Sequence, residues 1–116
     1  MKANELMIDD WVLCTHYEDK PFYKQFGLGD FVKGDYSFCE PIPLTDEILR
    51  KNGFQYFHKN FCSLSYDHPF KLEMEQWPDE NGLGGLWTIC GIIEIRFVHQ
   101  LQHALRLCGI EKTIEL

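Results

Sequence analysis

Residues 86–109, LWTICGIIEIRFVHQLQHALRLCG, decide the fold class. The first half reads as two short strands, Leu86–Cys90 and Ile92–Phe97, with Gly91 as a bulge between them. From Val98 the apolar period lengthens from two to about 3.6. Val98, Leu101, Leu105 and Cys108 then share one helical face, flanked by Ala104, and Gly109 ends the helix. Strands that give way to an amphipathic helix within one short stretch exclude an all-α or all-β chain. The tail, Thr113–Leu116, is expected to add a short terminal strand.

Moving towards the N-terminus, Phe70, Leu72, Met74 and Gln76 alternate with Lys71, Glu73 and Glu75, the period-two pattern of a half-buried strand. Asn81-Gly82 marks a hairpin turn beyond it. Phe54–His58 and Phe61–Tyr66 read as paired strands joined at Lys59-Asn60. Ahead of them, Thr45 stands where an N-cap belongs, with Asp46 and Glu47 in the first turn and Arg50 and Lys51 in the last. Gly53 follows as a left-handed stop, which predicts a two-turn helix over 45–52 with Leu44, Ile48 and Leu49 on its apolar side. So short a helix needs a sheet to pack on. Pro41 and Pro43 hold Glu40–Leu44 extended, because a proline disfavours α conformation in the residue before it.

Further upstream, Phe31–Lys33 and Asp35–Cys39 read as a strand or hairpin separated by Gly34. Glu18–Gly29 reads as a loop and Trp11–Cys14 as the first strand. The sum is one small α+β domain over 1–116: a mostly antiparallel sheet of five to eight short strands with two short helices, 45–52 and 98–108.

Composition supports a packed core and narrows the partners. Of 116 residues, 45% are hydrophobic and 15% aromatic, enough apolar surface to fold without staples. The five cysteines, Cys14, Cys39, Cys62, Cys90 and Cys108, include no C-x-x-C pair and read as reduced, buried thiols of a cytoplasmic protein. The opening MKANELMIDD holds no signal-like apolar run, and Leu83–Val98 is interrupted by glycines and charges, so no membrane span is expected. A net charge of −7 with dispersed basic residues argues against a nucleic-acid partner, whose phosphates need clustered Lys and Arg. The acidic doublets, Asp9-Asp10 among them, read as solvated surface.

Three stretches, ANELMIDDWV at 3–12, PIPLTDEILRKNGF at 41–54 and IRFVHQLQHALRLCGIEKTIEL at 95–116, carry a resemblance. Together they are similar to a group of small uncharacterised proteins of gut Bacteroidetes and of their phages and mobile elements. Residues 15–37 and 58–85 lie outside that pattern. The resemblance implies a bacterial cytoplasmic protein, with no activity attached. In the family pattern the position of His103 is often an amide residue, which weakens a metal role there.

Among chemical constellations the sharpest is His99-x-x-x-His103, two imidazoles one helical turn apart that could share a zinc ion. Cys14, His16 or Glu94 would supply a third ligand, and no H-E-x-x-H motif accompanies the pair. Helix-surface or capping histidines are the plainer reading. No glycine elbow or helix N-terminus presents a cysteine for nucleophilic catalysis. Gly82-Leu83-Gly84-Gly85 lacks the Lys-Ser/Thr of a phosphate loop. Tyr17, Phe22, Tyr23 and Phe26 cluster in a segment read as a loop, where surface aromatics would form a contact patch.

The expected function is therefore a non-enzymatic binding or accessory protein with a protein partner or a second copy of itself, contacted through Tyr17, Phe22, Tyr23 and Phe26, and with no cofactor. One alternative is a zinc domain or metal-assisted enzyme using His99 and His103. Another is a pocket that sequesters a small metabolite.

Overall fold

The computed structural model describes residues 5–15, 21–34, 39–58, 60–65, 71–77, 86–89 and 91–116. Among these residues it is a mixed α+β structure with two antiparallel sheets, of three and five strands, and three short helices. By its contacts the chain divides into two compact units. One comprises Met1–Ile42 with Phe97–Ala104, the other Pro43–Arg96 with Leu105–Leu116.

The first unit holds β1 (Trp11–Cys14), β2 (Phe22–Gln25), α1 (Leu28–Lys33) and β3 (Cys39–Glu40), with the first seven residues of α3 (Val98–Leu107). Its sheet runs β2-β1-β3, so β1 is central. β1 pairs antiparallel with β2 from Trp11↔Gln25 to Cys14↔Phe22, and with β3 at Leu13↔Glu40 and Cys14↔Cys39. Leu6, Val12, Phe26 and Cys39 form its small core, with Cys14 and Phe31 packed against it.

Here the structure corrects the expectation of a strand at Phe31–Lys33, which lies in α1. Capping explains the difference. The Asp30 carboxylate, in the first turn, accepts from the Gly27 N–H (2.9 Å), and Gly34 closes the helix by donating to the carbonyls of Asp30 and Phe31. Phe31 meets Phe26 edge to face at 4.6 Å, a contact that helical spacing makes available. The segment read as a loop around Phe22–Gln25 is strand β2.

The second unit holds α2 (Asp46–Lys51), β4 (Gln55–His58), β5 (Phe61–Ser65), β6 (Lys71–Trp77), β7 (Leu86–Ile89) and β8 (Ile93–Ile95). The five strands lie in sequence order, each antiparallel to the next. β6 shows its alternation directly: Leu72 and Met74 are buried while Lys71 and Glu73 are exposed. β7 and β8 form a hairpin with Ile89 opposite Ile93, so Gly91 is a turn residue and not a bulge. Its φ of +69° is the conformation that glycine adopts without a Cβ penalty.

The helix read over 45–52 is α2, and its signals work as expected. Thr45 Oγ1 accepts from the Ile48 N–H (3.2 Å). At the other end Gly53 sits at φ +89°, its N–H reaching the Arg50 carbonyl while that of Phe54 reaches Leu49, a Schellman closure. Leu44, Leu49 and Phe54 are buried. The C-terminal residues 113–116 form no strand. The Asn52 side chain takes the strand's place by pairing with both the N–H (2.7 Å) and the carbonyl (2.7 Å) of Glu115. Among the described residues no helix is long and apolar enough to cross a membrane.

Candidate functional site

Two features of the three-stranded unit stand out: a buried polar cluster where α3 meets the lead into β1, and the exposed face of β2.

The cluster starts from Asp10, one half of an acidic doublet read as solvated surface. It is in fact fully buried, at 0% exposure. A carboxylate there needs donors, since burying an unpaired charge costs several kcal/mol. The Met7 N–H supplies one (2.7 Å) and His103 Nε2 another (2.6 Å), both to Oδ2. A carboxylate can only accept, so the proton of the second bond lies on Nε2. Asp9 takes the left-handed φ of +72° that the turn into β1 requires. Gln102, one residue from His103, accepts from the Trp11 N–H (2.8 Å) and donates to the Asp9 carbonyl (3.0 Å). Gln102 and His103 thus fasten α3 to the start of β1.

His99 lies one turn earlier, its ring 5.5 Å from that of His103 in a T-shaped contact and stacked at 6.0 Å on Phe97. It is only 6% exposed, and its Nδ1 has no hydrogen-bond partner among the described residues. Burial holds its pKa below 6.5; Asp10 counters and His103 reinforces that shift. A cavity of about 330 Å³ opens beside it, lined by Glu5, Cys39, Glu40, Phe97, His99 and Gln100.

The two histidines read as a metal pair do face each other. However, no group of three potential ligands could hold an ion among the described residues. Of the third ligands considered, Cys14 faces Cys39 across the sheet, His16 lies outside the described residues, and Glu94 is on β8 of the other unit. Nor is Cys39 a ready nucleophile. Burial, then the neighbouring Cys14, pushes its thiol up to about 12, and the reactive form is the thiolate.

The aromatic group separates into three fates. Tyr17 lies outside the described residues. Phe26 is 1% exposed and belongs to the core, so it is no part of a contact patch. Its burial follows from its position just past the end of β2, where its backbone pairs with Asp9 and Asp10 and its ring turns inward. Phe22 and Tyr23 remain, 42% and 55% exposed on the edge strand of the sheet. As neighbours on a strand they point to opposite faces. The second lateral side of β2 has no strand beside it among the described residues.

Sequence reasoning missed Asp10 and Gln102 as positioning residues and the Cys14–Cys39 pair. Asp10 could have been suspected only from its place two residues ahead of a buried strand residue, Val12. The cysteine pair depends on register and leaves no spacing motif. Comparison with protein-family models, with curated proteins and with solved structures finds no match for this chain.

Proposed function

We propose that this is a non-enzymatic binding protein that engages a protein partner at the edge of its three-stranded sheet, through β2. One observation carries the reading: two adjacent aromatic side chains stand exposed on an edge strand. Edge strands offer unpaired backbone groups, and proteins commonly blunt them with charge or cover. Addition of a partner strand uses those groups for affinity and side chains on the two faces for specificity. Aromatic anchors are the residues most often responsible for binding energy at such surfaces. The resemblance to small Bacteroidetes and phage proteins favours a cytoplasmic accessory role.

The test is affinity purification of the full chain from its source cells, comparing wild type with a Phe22→Ser/Tyr23→Ser double variant. The proposal expects a co-purifying protein that the double variant loses while its melting temperature stays close to wild type. Equal recovery of the same protein by both would refute it.

A second reading is a small-ligand site in the cavity beside His99, favoured by its volume of about 330 Å³ and its mixed polar and apolar wall. Under that reading a metabolite screen by thermal shift finds a ligand whose effect disappears in Glu40→Gln.

A further inference from the structure

Cys14 and Cys39 occupy directly opposed positions on β1 and β3. Opposed residues of an antiparallel pair have Cα atoms about 4.5 or 5.5 Å apart, depending on whether they share ladder hydrogen bonds. Both values fall inside the span of about 4.4–6.8 Å that a disulfide bridges without backbone movement. Neither thiol is in a disulfide, and their side chains are in hydrogen-bond contact. No equivalent exists for the other described cysteines. Cys62 faces Met74 across one side of its strand and Tyr56 across the other, and Cys108 is exposed just beyond α3.

We propose that Cys14 and Cys39 are a redox modification site, closing to a reversible intramolecular disulfide on reaction with a low-molecular-weight disulfide of the glutathione class. Cys14 is half-buried and Cys39 fully buried, so the reagent meets Cys14 first. The Cys14 thiolate attacks one sulfur of the reagent. A Cys14–reagent bond forms, the reagent's own S–S bond breaks, and the departing thiolate takes up the proton that Cys14 released. Cys39 then loses its proton and attacks Cys14 Sγ, and the second reagent thiolate leaves carrying that proton. Two protein thiols are oxidised, one reagent disulfide is reduced, and two reagent thiols are produced. Burial, the Cys14 thiol and the nearby Asp30 carboxylate all oppose ionisation of Cys39, which makes the second step the slower one.

The bond would close a loop over residues 15–38 that contains β2 and α1, tying both ends of it to the sheet. An effect of oxidation on partner binding rests on the function proposed above, whereas formation of the disulfide does not.

The test uses the reduced full-length chain, incubated with oxidised glutathione, quenched with N-ethylmaleimide under unfolding conditions and measured by intact mass and non-reduced peptide mapping. The expected product is about 2 Da lighter than the reduced chain before alkylation, with Cys14 joined to Cys39 and the other three of the five cysteines alkylated. Dithiothreitol should restore all five. In Cys39→Ser the reaction should stop at a glutathione adduct on Cys14. A wild-type chain that ends with all five cysteines alkylated, with a stable adduct alone, or with a linkage between other cysteines would overturn the proposal. That wild-type measurement stands whether or not the variant folds.

Discussion

In the five-stranded sheet every strand pairs with its neighbour in sequence, whereas in the three-stranded sheet β1 pairs with β3 across the intervening β2 and α1. The interiors differ in the same sense. Apart from Asn52, the buried polar residues of the larger sheet's unit, among those described, are Ser63 and Thr88, small hydroxyls on strands. The smaller unit buries Asp10, Asp30, His99 and Gln102, two of them ionisable acids and one an imidazole. Consecutive hairpins with alternating side chains close a core through local contacts and apolar burial. Among the described residues the smaller unit buries fewer apolar side chains, and directed hydrogen bonds do part of the holding. The chemistry-bearing groups of this chain collect where such bonds are needed.

The largest expected effect comes from breaking those bonds. Asp10→Ala removes the acceptor for Met7 and His103 and should cost about 1–3 kcal/mol, the range for leaving a buried hydrogen-bonding group without its partner. Urea unfolding measures the loss, and amide exchange locates it. Exchange should accelerate in β1 and β2 more than in β5 and β6. Equal acceleration in both sheets would erase the contrast between the units.

A smaller effect is expected at acidic pH. In the unfolded chain His99 takes a proton near pH 6.5, but in the fold burial lowers its pKa. As pH falls through 6.5 the unfolded state binds a proton that the folded state excludes, so the stability associated with neutral His99 is present above that pH and lost below it. His99→Gln should flatten the decline of the urea midpoint between about pH 7 and pH 5 by one proton's contribution. An unchanged slope would show that His99 protonates equally in both states.

The smallest effect concerns β2. Because Phe22 and Tyr23 are largely solvent-facing, the double serine variant should lose less than about 1 kcal/mol of stability by thermal melting. A larger loss would make these rings part of the packing and weaken the contact reading.

The contrast also explains what was legible in the sequence. α2 was readable from Thr45 to Gly53 because each signal acts within a few residues, and β6 because its alternation is local. α1 was misread because Phe31-Val32-Lys33 has strand-like composition, while the deciding contacts, Asp30 to Gly27 and Phe31 to Phe26, depend on the helix being formed. At the candidate site His99 and His103 were picked out by their helical spacing. Their real partners, Asp10 for one ring and Phe97 for the other, were not, since Asp10 is distant in sequence and carries the look of a surface acid. Phe22, Tyr23 and Phe26 are equally aromatic, and only the end of β2 determines which one turns inward.

The most direct test of the account is site-specific photo-crosslinking in the source cells, with a benzophenone amino acid placed at Tyr23 on β2 or at Phe57 on β4. Both positions are exposed aromatics on edge strands, 55% and 56% accessible, so the comparison isolates the unit and not the exposure. The account predicts a discrete crosslinked protein from position 23 and none from position 57. Crosslinking from position 57 alone, or equally from both, would contradict the assignment of binding to the three-stranded unit.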